Sequence, residues 1–182
     1  MKKIVIYATI SFSILTANGI LKLEDSKIVN KHSKPVYLKG CNLGNWLMLE
    51  MWMLDYHNFS ENGIEDQYRF IKTLEDRFGK DKAETLMDIY RENWINEDDF
   101  DVVKSYGMNT IRLPFDYKIL MNSDARPFKL KENAWYWLDF AIKVAKSKNM
   151  YVILDMHGAP GRQSGMDHSG RSGYNKLWTN KD

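Results

Sequence analysis

Two apolar runs of strand length, Asn109–Phe115 and Met150–Met156, each begin within two residues of the end of an amphipathic helical segment. A joint that short makes the strand run straight back along the helix it follows. Repeated, it builds βαβ units and a parallel sheet. The helical segments show in their apolar spacing. Ile64, Tyr68, Ile71 and Phe78 mark one face of a helix that ends at Gly79, and Ala83, Leu86, Met87, Tyr90 and Trp94 mark a second. Asn96 caps a third, with Glu97, Asp98 and Asp99 at the positive end of the helix dipole, Phe100 and Val103 facing inward, and Gly107 as its stop. Trp135, Leu138, Ala141, Ile142 and Ala145 mark a long helix ending near Asn149. Upstream, Lys27–Val29 and Pro35–Leu38 flank the polar turn Asn30–Lys34 as a predicted hairpin, whose second arm continues into a strand ending near Leu43. The order is strand, helices, strand, helix, strand, an α/β chain. Three strands cannot close an eight-stranded barrel, which takes about 250 residues. Leu177–Asp182 reads as a loop, so the expectation is the front part of something longer.

Composition narrows the functional classes. The 182 residues are 44% hydrophobic and 27% charged, as in a soluble globular protein with a core. Residues 1–19 read as a signal peptide: Lys2 and Lys3, an apolar stretch from Ile4 to Leu15, then Thr16–Gly19, with cleavage after Ala17 or Gly19. A secreted or periplasmic/extracellular protein is expected, with residues 20–182 as its mature portion. The apolar stretch is shorter than the roughly 20 residues a bilayer span needs, so no membrane association follows from it. Without Lys2 and Lys3 the counts are 24 basic and 24 acidic residues. That balance lacks the basic footprint of a nucleic-acid binder. No protein partner is called for. Cys41 is the only cysteine and lies in a strand-like segment, which excludes an intrachain disulfide and suits burial better than nucleophilic chemistry.

The chemistry gathers where strands end. Asp155 and His157 share one face of their strand and run out into Gly158–Gly170. They suit contacts to a polar substrate, a metal site with Asp167 and His168 nearby, or a core histidine satisfied by a backbone carbonyl. The glycine-rich loop matches neither phosphate-binding pattern, G-x-x-x-x-G-K-[ST] or G-x-G-x-x-G. Its glycines are read as letting the loop turn tightly and bring Asp167 and Ser169 towards a ligand. Arg112, mid-strand among apolar residues, requires a carboxylate partner. That partner is either a catalytic group or a structural one, such as Asp155 or a helix acid. Glu50, set among Trp46, Leu47, Met48, Leu49, Met51 and Trp52, either binds sugar hydroxyls beside aromatic faces or serves as a helix cap or Arg partner.

Three stretches in order, Lys39–Glu50, Gly107–Pro114 and Leu154–Gly161, resemble glycoside hydrolase family 5. The branch most similar is the exo-β-1,3-glucanase-like one, whose third-strand loop reads much like Gln163–Gly170. The resemblance covers about residues 27–182. It implies the N-terminal part of a (β/α)8 TIM barrel, about three of its eight strands, preceded by a hairpin. It also implies β-glycosidic cleavage with retention, with β-glucan or a related polysaccharide as substrate and no metal or organic cofactor. By position, Arg112 would orient the nucleophile, Glu50 and His157 would bind sugar hydroxyls, and Asp167 would do so from the loop. Met166 and His168 depart from the branch, which tends to have an aromatic and an Asn there. Both catalytic Glu, at the fourth and seventh strands, are expected beyond Asp182, since Glu50, Asp155 and Asp167 match neither position. The chain by itself is therefore expected to hydrolyse nothing. Two other readings stand beside this one: a stand-alone secreted carbohydrate-binding domain, and a metal-dependent hydrolase using Asp155, His157 and His168.

Overall fold

A computed structural model describes residues 19–121 and 129–179. The predicted signal peptide therefore lies outside the described residues, apart from Gly19. The elements follow the expected alternation after an N-terminal hairpin, as in a partial (β/α)8 barrel. They are β1 (Lys22–Glu24), β2 (Lys27–Val29), β3 (Gly40–Asn42), α1 (Tyr56–Glu61), α2 (Gln67–Phe78), α3 (Lys80–Trp94), α4 (Glu97–Ser105), β4 (Thr110–Asp116), α5 (Tyr136–Ser147) and β5 (Tyr151–Gly158). β3, β4 and β5 form one sheet in that order, and a parallel bridge joins Leu47 to Phe115. No helix among the described residues is long and apolar enough to cross a membrane.

The chain divides into two compact units. The first comprises residues 1–41, 97–112 and 136–153. Its hairpin differs from the predicted one. β1 pairs antiparallel with β2 through Asp25 and Ser26, both at positive φ, a two-residue turn that matches the twist of its strands. Neither residue is glycine, and so the turn was not evident. The predicted arm at Pro35–Leu38 contributes a bridge from Val29 to Pro35 and a bond from Val36 N–H to the Ile28 carbonyl. Its turn is tied by the Asn30 side chain, which accepts from the backbone of His32 and Lys34. α4 packs on α5, where Phe100, Leu138, Ala141 and Ala145 are buried. Trp137 is buried there too, whereas Trp135, expected on that face, precedes the helix and is exposed. After α5, Asn149 adopts a left-handed conformation (φ 57°) and Met150 N–H bonds the Ala145 carbonyl, which releases the chain straight into β5. Gly40 has no room for a side chain: a Cβ there would run into the Thr110 carbonyl. Cys41 is half-buried, and burial pushes its thiol up, away from nucleophilic use.

The second unit comprises residues 42–96, 113–135 and 154–182. Leu49, Met51 and Met87 centre its helical core, with Ile64, Phe70, Ile71, Leu74 and Tyr90 packed against them. The inward stripe of α2 is thus Phe70, Ile71 and Leu74, preceded by the buried Gln67. Tyr68 and Phe78, expected on that stripe, are exposed. Gly79, at φ 81°, ends α2 and starts α3. Trp46 is fully buried and its indole N–H donates to the Arg91 carbonyl at 2.9 Å. Tyr90 exchanges bonds with Asn45 through its hydroxyl, and burial holds that phenol far above its usual range.

Candidate functional site

The end of β5 and the loop that follows concentrate polar side chains within the second unit. His157 Nδ1 lies 2.9 Å from Asp155 Oδ2, both half-buried. The two-residue spacing that puts them on one strand face brings them into contact, so a carboxylate orients the imidazole. The His168 ring stands 5.8 Å from that of His157. Asp155, His157 and His168 therefore gather in one place. Even so, among the described residues no group of three or more His, Cys, Asp or Glu side chains converges closely enough to hold a metal ion. Gln163 clasps the loop to the strand end, its amide donating to the His157 carbonyl and its oxygen accepting from Ala159 N–H. Asp167 opens a short 3-10 turn, Asp167–Ser169, and is half-buried.

Glu50 sits in the same unit, its backbone N–H donating to Asn45 Oδ1 at 2.8 Å. It stands before the 3-10 turn Met51–Met53, but its carboxylate does not cap that turn and has no bonding partner among the described residues. Among the described residues neither the helix-cap nor the Arg-partner alternative is realised. The aromatic residues around it split: Trp46 is core, while Trp52 is exposed. Arg112, the third residue of β4, is half-buried and belongs to the first unit.

What the sequence did not disclose is a buried ion pair that organises the second unit. Asp116, at the end of β4, is 1% exposed and meets the guanidinium of Arg162, which is 5% exposed. Arg162 Nη1 also donates to the Ser169 carbonyl at 2.8 Å, and Gln67 Nε2 donates to Asp116 Oδ2 at 2.9 Å. The other Asp116 oxygen accepts from Lys118 N–H at 2.8 Å. Burial pushes the Asp116 carboxyl above the usual carboxylate range, opposed by Arg162 and by the Lys118 N–H. Burial likewise lowers the Lys118 ammonium, opposed by Asp116. Arg162 is itself left-handed, at φ 60°. For a residue with a side chain this costs about 1–2 kcal/mol, which the buried bonds offset. The available signal was a lone Arg inside a glycine-rich loop, matched to a lone Asp at the previous strand's exit.

This pair explains two of the loop's glycines. A Cβ at Gly158 would fall 2.6 Å from Asp116 Oδ2 and 2.7 Å from Arg162 Nη1, and one at Gly170 would fall 2.8 Å from that nitrogen. They clear space for buried charges, rather than serving only the tight turning read from the sequence. Gly158→Ala is accordingly expected to lower stability by about 1–3 kcal/mol in thermal unfolding. Gly165→Ala, where a Cβ meets nothing within 4 Å, is expected to stay within about 0.5 kcal/mol of the parent.

A cavity of about 550 Å³ opens in this unit between α2, α3, residues 116–121 and Lys131, with Gln67 and Asp116 in its lining. Glu50, His157 and Asp167 are not among its lining residues.

Residues 79–181 match the family described as Cellulase (glycosyl hydrolase family 5). A glucan 1,3-beta-glucosidase of Blumeria graminis is 35% identical over 139 residues, covering 75% of this chain and 31% of that protein. A beta-xylosidase of Phanerodontia chrysosporium is 35% identical over 163 residues, covering 89% of this chain and 33% of that protein. The chain thus spans about a third of the length of these relatives. In fold it is similar to the crystal structure of rutinosidase from Aspergillus niger, with a TM-score of 0.60 and 24% identity over 75% of this chain and 37% of that one. Since the family match takes in more than half of its residues, the chain belongs to glycosyl hydrolase family 5.

Proposed function

We propose that this chain supplies the substrate-binding part of a secreted, retaining β-glucosidase or glucanase of the exo-β-1,3-glucanase-like branch. The two carboxyl groups of the reaction lie outside Met1–Asp182. The observation that carries this reading is the carboxylate-oriented imidazole at the end of β5, in one unit with two half-buried acids, Glu50 and Asp167, on neighbouring loops. His157, held at Nδ1 by Asp155, presents Nε2 to a sugar hydroxyl. The carboxyl groups of Glu50 and Asp167 bond further hydroxyls. Arg112 orients and keeps ionised the nucleophilic carboxylate, which attacks the anomeric carbon while a protonated partner about 5–5.5 Å away assists departure. Support for the glucan class comes from the relatives that are glucan 1,3-beta-glucosidases.

The test is turnover by the full gene product on laminarin, cellulose-type glucan and an aryl β-xyloside. Laminarin hydrolysis is expected, with none from residues 1–182 alone. Preference for the xyloside would favour a xylosidase instead, and turnover by the 182-residue chain would show that its own carboxylates do the chemistry. Glu50→Gln is expected to reduce kcat/KM about 10- to 100-fold, as for loss of a hydrogen bond to a charged group. An unchanged value would remove Glu50 from the site.

A further inference from the structure

The loops bearing Glu50 and Asp167 are joined by one buried hydrogen-bonded chain that passes through the Asp116–Arg162 pair. Leu49 N–H, next to Glu50, donates to Gln67 Oε1 at 2.7 Å, and Gln67 Nε2 donates to Asp116 Oδ2. Arg162 Nη1 bridges from that same oxygen to the carbonyl of Ser169, two residues from Asp167. Asp66, the cap of α2, accepts from Ser172 N–H at 2.8 Å, and Tyr68 N–H donates to the Gly170 carbonyl at 3.0 Å. The start of α2 is thus clamped to the Asp167 loop at both ends of a short stretch. We infer that Arg162, Asp116 and Gln67 are positioning residues for the saccharide, setting the separation of Glu50 and Asp167 so that both meet one sugar unit. Two features argue for a purpose beyond filling space. A purely packed joint would not require a buried guanidinium in a left-handed conformation, nor two glycines that clear its surroundings.

The inference rests on the proposed sugar-binding roles, and its test separates the two. In the full gene product, Arg162→Gln is expected to raise KM for laminarin about tenfold or more with kcat changed less than threefold. Arg162→Lys, which keeps the charge, recovers part of that loss. Amide hydrogen exchange supplies a readout that needs no substrate: in Arg162→Gln, exchange at Leu49 N–H rises at least tenfold more than exchange in α4 and α5. If Leu49 exchange is unmoved, the coupling is absent and the inference fails whatever the substrate. If Leu49 loosens but KM holds, the chain is a strut with no bearing on the sugar, and the inference again fails while the Glu50→Gln result decides the function separately.

Discussion

Arg162→Met is expected to lower the stability of the protein by about 3–5 kcal/mol, read from urea or thermal unfolding. The charge left behind makes this a large effect. Asp116 would keep two donors, Gln67 Nε2 and Lys118 N–H, but lose the buried guanidinium that pairs with it at 1% exposure. A buried carboxylate without a counter-charge must either stay ionised at high desolvation cost or take up a proton. Relief of the left-handed backbone at position 162 is not available, since Met is no more tolerant of it than Arg. Removing both charges, with Asp116→Leu beside Arg162→Met, is expected to recover most of the loss, because neither buried ion is then left alone. A double variant as unstable as the single would show that the deficit comes from lost packing.

Trp46→Ala is expected to cost about 3–5 kcal/mol, the range for removing a large aromatic side chain from a core. Trp46 has no exposed surface, and its indole N–H satisfies the Arg91 carbonyl near the end of α3. Trp46→Phe separates the two contributions. It keeps most of the volume but leaves a buried carbonyl unpaired, so a loss of about 1–3 kcal/mol is expected from the missing bond. If Trp46→Ala proved mild in unfolding yet abolished glucan binding, this indole would be a sugar platform and its burial would be misassigned.

These two sites also show what could and could not be read from residue order. Helix and strand periodicity located α4, β4, α5 and β5 to within a residue or two, since each repeats its apolar spacing and meets its neighbour across a short joint. That Asp155 and His157 share one strand face followed from strand alternation, whereas their pairing with each other shows only in the fold. Residue order does not say which of the aromatic residues around Glu50 is core, because an isolated Trp such as Trp46 carries no sign of what lies on either side of its ring. Tyr68 and Phe78 were assigned inward on apolarity, yet Gln67 holds the inward position at the start of α2 and Tyr68 instead stacks on Arg171, 3.9 Å from its ring centroid. The Asp116–Arg162 pair joins residues 46 apart in sequence and has no periodic signature. Only tertiary folding brings such partners together, so the glycines that accommodate them looked like ordinary turn residues.

The most direct test of the central claim is a crystal structure of the full gene product with a β-1,3-gluco-oligosaccharide bound. The expected result is a terminal glucosyl unit within hydrogen-bond distance of Glu50, His157 and Asp167, with the Asp116–Arg162 pair intact beneath the loop. A saccharide bound with none of those three side chains in contact, or seated instead in the cavity between α2 and α3, would contradict it.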